Sequence, residues 1–134
     1  MYRVTVSADA DSVTELAPLV ATIAARGELS AAAQYALRLA VEEILVNIAT
    51  HGDGEASEVV VDGDVEADQV WIRLTDSGPA FDPRSAAPPE DLDRPLAERQ
   101  IGGLGLYLTR RMVDDLGYER RDGHNCTTLI MRRR

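Results

Sequence analysis

The run of helix formers from Ser30 to Thr50 constrains this chain most, because it must form one long helix that carries polar side chains among its apolar ones. At about 100° per residue, Gln34, Arg38 and Glu42 share a stripe that reads as a solvated face. Glu43, Asn47 and Thr50 fall elsewhere, among Ala36, Leu39, Ala40 and Val46, on the side expected to press into the protein. An acid and an amide one turn apart, roughly 6 Å along the axis, beside alanines too small to fill the space, predict a polar pocket cut into a core.

At 134 residues and 45% hydrophobic content the chain fits one compact domain, residues 1–134, with no room for a second of ordinary size. No apolar run approaches the roughly 18 residues of a membrane span. Met1-Tyr2-Arg3-Val4 leads straight into an alternating pattern rather than a signal peptide, so a cytoplasmic protein without membrane contact is expected. The single cysteine, Cys126, excludes disulfide stapling and a cysteine-based zinc site, and is expected to be a small buried residue. A net charge of −9 argues against direct nucleic-acid binding, which depends on clustered basic side chains. The one basic cluster, Arg132-Arg133-Arg134, reads as a frayed or solvated end. All 14 basic residues are arginine, so neither a P-loop lysine nor the strand lysine of ordinary protein kinases exists here. A nucleotide would have to be held another way.

Tyr2 to Ser7 alternates with period two and predicts a strand. Asp9 to Asp11 make a turn, and Asp11 or Ser12 caps a helix running to about Arg26, with Glu15 at capping-box spacing and Gly27 as the stop. Pro18 in its second turn is at odds with that helix. Ser30 caps the central helix, and Gly52-Asp53-Gly54 ends it. Ser57–Val65 and Gln69–Thr75 predict a hairpin turning at Glu66-Ala67-Asp68. A third helix is expected from Leu104 to Leu116, stopped by Gly117, and a last hairpin from Tyr118–Arg121 and Cys126–Arg132 about residues 122–125.

Five of the six prolines, Pro79, Pro83, Pro88, Pro89 and Pro95, crowd into one segment that cannot be a regular element. A structureless stretch of that length is either a functional lid or a disordered insertion, and its position favours a lid over about 79–101. Asp76-Ser-Gly78 precedes it directly after a strand, and Gly102-Gly103-Leu104-Gly105 follows it at the start of a helix. Taken singly, the first is a common strand-to-turn signal. The second is either a hinge or a phosphate cradle built from open backbone N–H groups at a helix N-terminus. Glu43 alone could be a charge on an exposed helix face.

In combination these motifs resemble the GHKL ATPases, the group of gyrase B, the heat-shock chaperone, histidine kinases and MutL. Glu43-x-x-x-Asn47 looks like the N box, Asp76-x-Gly78-x-x-Phe81-Asp82 the G1 box and Gly103-x-Gly105 the G2 box. Within the group the chain is most similar to the small bacterial anti-sigma factors that are also serine/threonine protein kinases, whose helix reads Glu-x-x-x-Asn-x-x-x-His-Gly, here Glu43, Asn47, His51 and Gly52. The resemblance runs from the first strand to Thr127-Thr128. It departs from the family at Asn125-Cys126, where relatives commonly have glycine before the threonines, and in the spacing of Arg99 to the G2 glycines.

The resemblance implies an α/β (α+β) two-layer sandwich of the Bergerat type: a mixed, mostly antiparallel sheet with helices on one face and ATP between the helices and the lid. It makes Glu43 the base, Asn47 the Mg²⁺ ligand, Asp76 the acceptor for the adenine amino group, and Gly78 the point of backbone approach to the base. Phe81 belongs to the same nucleotide-binding box. The amides of Gly102, Gly103, Leu104 and Gly105 would cradle phosphates, Thr127 would touch the nucleotide, and Arg99 would approach the γ-phosphate or remain a solvated lid residue. His51 is expected to make a structural hydrogen bond and His124 to be a turn residue. The implied partners are a sigma factor, an anti-sigma antagonist bearing the phosphorylated Ser or Thr, and a second copy of the chain in a homodimer. Two alternatives share these motifs: a nucleotide-dependent binding adaptor, and a switch kinase that activates a phosphatase.

Overall fold

The computed structural model describes residues 1–51, 58–85 and 103–133. Its elements are β1 (Tyr2–Ser7), α1 (Val13–Arg26), α2 (Ala31–His51), β2 (Glu58–Val65), β3 (Gln69–Asp76), α3 (Gly103–Met112), β4 (Asp115–Arg121) and β5 (His124–Arg132). The strands form one sheet in the order β1-β2-β3-β5-β4, and every ladder is antiparallel. This is the expected two-layer sandwich with helices on one face, its sheet antiparallel among the described residues rather than mixed.

Period-two patterning explains why only one face is covered. Val59, Val61, Val70, Ile72, Leu74, Leu129 and Met131 all point to the helix side, where they meet Leu16, Val20 and Ile23 of α1 and Leu37, Val41, Ile44 and Leu45 of α2. Each such side chain contributes about 1.5–3 kcal/mol on burial. The alternate residues carry charge: Asp62, only 1% exposed, accepts hydrogen bonds from Arg73 at 2.6 and 3.2 Å and from Arg3 at 3.4 Å. A second helical layer on that face would have to bury these ions. Among the described residues no helix is long and apolar enough to cross a membrane.

Local chemistry departs from expectation in several places. Ser12 does not cap α1 through its side chain; its hydroxyl and N–H both donate to Asp9 Oδ1 at 2.9 Å, in a short 3₁₀ turn before the helix. Pro18 stays within α1, on its exposed side. Ser30 does cap α2, accepting from the Ala33 N–H at 3.1 Å. At the end of α1 the left-handed residue is Glu28, with φ 56°, not Gly27. Gly27 is required for another reason: a Cβ there would stand 2.3 Å from Val70 Cγ2. Arg133, expected to fray, instead donates to the Gly27 and Glu66 carbonyls at 2.9 Å each and so ties the end of α1 to the β2–β3 turn.

The third helix is shorter than expected. It ends at Met112, because the Asp114 N–H already bonds to the Ile130 carbonyl and the Asp114 carboxylate accepts from the Arg132 N–H at 2.6 Å. Leu116 and Gly117 are therefore strand residues, paired with Leu129 and Thr128. In the final hairpin the turn is Asp122-Gly123 alone, both with positive φ (52° and 79°), as a two-residue turn between twisted strands requires. His124 and Asn125 belong to β5.

Gly63 of β2 lies directly beneath Ile23 of α1. A Cβ added there would lie 2.6 Å from the Trp71 carbonyl oxygen and 2.9 Å from Ile23 Cδ1. Gly63→Ala should therefore destabilise the domain by about 2 kcal/mol through overpacking, seen as a lower urea midpoint at unchanged slope. A midpoint equal to wild type would contradict this packing.

Candidate functional site

The cleft lies where α2 meets the ends of β3 and β5. Its apolar wall is Ile44 and Ile48 of α2 with Phe81, and its polar groups are Asn47, Asp76, Asn125 and Thr127. α2 borders both the core and this cleft. Apolar residues occur all round it, so a helical wheel selects no single face. The buried stripe is Leu37, Ala40, Val41, Ile44 and Leu45, rather than the expected stripe through Ala36, Leu39 and Val46. Val46 is 37% exposed. Asn47, at the border of the buried stripe, is half-buried and reaches the cleft. Glu43 and Thr50 are exposed, contrary to the inward placement expected of them, and Glu43 does not line the cavity.

Asp76, the last residue of β3, is 4% exposed. Its Oδ1 accepts the Gly78 N–H at 2.9 Å and Asn125 Nδ2 at 3.1 Å. Its Oδ2 has no protein partner among the described residues. No fully buried side-chain oxygen or nitrogen there lacks one, so Oδ2 opens to the cleft. The same reasoning opens the Thr127 hydroxyl to it. A Cβ on Gly78 would lie 3.0 Å from Asp76 Oδ1, so glycine lets the backbone fold tightly over the carboxylate. Asp76 Oδ2 and Thr127 Oγ1, facing the cleft beside its apolar walls, can each accept a hydrogen bond from a ligand amino group.

Asn125 is the group that sequence reasoning missed. It is 4% exposed and faces Asp76 across the β3–β5 ladder. Besides Asp76, Nδ2 donates to the Pro79 carbonyl at 2.9 Å and the Gly78 carbonyl at 3.4 Å. Its Oδ1 accepts from Tyr118 Oη at 2.5 Å, Arg120 Nη1 at 3.1 Å and the Phe81 N–H at 3.3 Å. All acceptors lie on one side and all donors on the other, which fixes the amide orientation. The signal was the Asp122-Gly123 pair: taken as a two-residue turn, it puts Asn125 inside the strand. Cys126, where the family commonly has glycine, is half-buried and faces the opposite side of the sheet with Arg73 and Thr128, so it does not enter the cleft.

In the loop after β3, Arg84 donates to both Asp82 oxygens, through Nε to Oδ1 at 3.0 Å and through Nη2 to Oδ2 at 2.8 Å. These hydrogen bonds hold the Asp82 carboxyl below the usual carboxylate range. Arg84 also lies over the Tyr118 ring, 5.9 Å from its centre. Gly103 opens α3 with Leu104 and Gly105 in its first turn, where backbone N–H groups have no intrahelical acceptor. Arg99, Gly102 and residues 86–101 of the expected lid lie outside the described residues, as do the His51 side chain and Gly52. His124 is an exposed turn-flanking residue whose ring contacts the Asp122 carbonyl. Among the described residues no group of three His, Cys, Asp or Glu side chains could hold a metal.

The sandwich and this cleft define the class to which the protein belongs: residues 6–132 match the histidine kinase-like ATPase domain, and the chain is a member of that family. It is 34% identical over 125 residues to the serine/threonine-protein kinase BtrW of Bordetella bronchiseptica, covering 92% of this chain and 87% of BtrW. To the serine-protein kinase RsbW of Listeria monocytogenes it is 31% identical over 99 residues, 70% of this chain and 63% of RsbW. The histidine kinase AdeS of Acinetobacter baumannii shares the fold, with a TM-score of 0.52 at 10% identity over 99% of this chain and 69% of AdeS.

Gly78→Ala should push the Asp76 carboxylate by a few tenths of an ångström and lengthen its bond to residue 78, costing about 1 kcal/mol. Hydrogen exchange should then be faster at the residue 78 amide while the β3 core amides keep their protection. Unchanged exchange at residue 78 would show that the loop tolerates a Cβ.

Proposed function

We propose that this protein is an ATP-dependent serine/threonine protein kinase of the anti-sigma type. It binds a sigma factor, is released on binding an anti-sigma antagonist, phosphorylates that antagonist on Ser or Thr, and acts as a cytoplasmic homodimer. The observation that carries the reading is the pairing of Asp76 Oδ2 and the Thr127 hydroxyl in one cleft with Asn47 on its opposite wall. Kinship with BtrW and RsbW supplies the reaction class.

In this reading the adenine amino group donates to Asp76 Oδ2, and Thr127 contacts the nucleotide beside it. The base packs against Ile48 and Phe81, and Gly78 lets the backbone come close. Phosphates reach the N-terminus of α3, where the Gly103 to Gly105 amides and the helix dipole favour negative charge and the Gly102 amide would add to them. The Asn47 side chain makes no hydrogen bond among the described residues, so its amide oxygen is available to Mg²⁺, a hard ion that accepts one such ligand and fills its shell with phosphate and water oxygens. Bound there, the ion would neutralise phosphate charge. Arg99 of the lid would offset charge developing on the γ-phosphoryl group.

Glu43 sits one turn before Asn47. Its exposed carboxylate has no partner among the described residues, which leaves it open to an incoming hydroxyl. It takes the proton of the partner's Ser or Thr as that oxygen attacks the γ-phosphorus and the bond to the β–γ bridging oxygen breaks, leaving ADP. That Glu43 does not line the cleft gives the adaptor reading its one specific support: such a protein would switch partners on ATP occupancy without chemistry.

Radiolabel transfer decides between them. With ATP-Mg²⁺ and the cognate antagonist, wild type should label Ser or Thr, while Glu43→Ala should bind ATP as wild type does and transfer about 10²–10⁴-fold more slowly. Normal transfer by that variant would remove Glu43 as base; no transfer by wild type would favour the adaptor.

A further inference from the structure

We propose that Asn125 is a positioning residue for the nucleotide base, and that it gives the cleft its preference for a 6-amino over a 6-oxo purine. This rests on the reading of the cleft as an ATP site. A carboxylate at the end of a strand turns freely through the broad well of its last torsion. In Asp76 two donors on one oxygen remove that freedom: the Gly78 N–H at 2.9 Å and Asn125 Nδ2 at 3.1 Å. The other oxygen is thereby held toward the cavity as a bare acceptor. A purine amino group satisfies it. A purine carbonyl would set oxygen against oxygen in a site of low dielectric, where an unpaired acceptor is costly.

Asn125 can do this because it is itself fixed. Its amide nitrogen bridges Asp76 to the Pro79 carbonyl, so the strand end and the loop over it move as one. Its oxygen is held by Tyr118 and Arg120 of β4. Arg120 also donates to the Gly78 carbonyl at 2.9 Å. Every hydrogen-bonding position of a 4%-exposed amide is thus used. The Phe81 N–H, bonded to the same oxygen at 3.3 Å, extends the restraint to the far side of the loop.

The test compares ATP with inosine triphosphate, which differs at the 6-position of the base, by calorimetric titration of the full chain. Wild type should prefer ATP by roughly a hundredfold, as sites built around a specific hydrogen bond do. Asn125→Ala should lose about tenfold in ATP affinity while its inosine triphosphate affinity stays within about twofold, so the preference narrows to about tenfold. In nucleotide-free protein, hydrogen exchange at the Gly78 and Phe81 amides should rise in the same variant. Should Asn125→Ala fail to fold, Tyr118→Phe carries the test. It removes one donor to Oδ1 from outside the cleft, and should narrow the preference about threefold.

Equal losses for both nucleotides would make Asn125 a structural residue and overturn the proposal, as would an unchanged preference in either folded variant. If wild type binds neither nucleotide, the ATP reading itself falls, and this inference with it. If wild type binds both but without preference, the proposal fails while the ATP reading stands.

Discussion

The hydrogen bond between Asn125 and Asp76, made across two central strands and shielded from water, is the contact on which the cleft depends. Both side chains are polar and both are 4% exposed, so losing either leaves the other short of a buried partner, at a cost of about 1–3 kcal/mol. Their mutual satisfaction fixes the ends of β3 and β5. The loop from Gly78 to Phe81 is hung on the same amide. The shape of the cavity mouth therefore follows from one cross-strand pair rather than from the packing of the loop.

The opposite wall is set by α2, and the division of labour along that helix is physical. Leu37, Val41, Ile44 and Leu45 anchor it to the sheet, and that anchoring places Asn47 at the cleft. Glu43, one turn earlier, is outside the buried stripe and in solvent. The same helix thus presents one polar side chain to the cleft and another to solvent.

Much of the fold was legible in the sequence because its determinants are local. Period-two runs gave β1, β2, β3 and β5, and Ser30 marked the start of α2. The family resemblance grouped Asp76, Gly78, Phe81 and Thr127 in one site, and all four line the cleft. What was not legible depends on tertiary contacts. α2 is apolar on several sides, so its inward face is chosen by the sheet and not by its own periodicity. Arg133 is ordered by carbonyls more than 60 residues away in sequence, and nothing near the chain end signals that. Asn125 was hidden by a turn assigned two residues too long, an error that moved a buried hub into a solvated loop. Leu116 and Gly117 went to a helix because Gly117 imitates a stop, whereas the ladder with β5 had already claimed them.

Titration calorimetry of the purified chain with ATP and ADP, each with and without Mg²⁺, tests the nucleotide site most directly. Both nucleotides should bind with one-to-one stoichiometry, ATP more tightly when Mg²⁺ is present, and Asp76→Ala should abolish the heat while the protein still melts cooperatively. No binding of either nucleotide by wild type, or undiminished binding by Asp76→Ala, would contradict the assignment of this cleft.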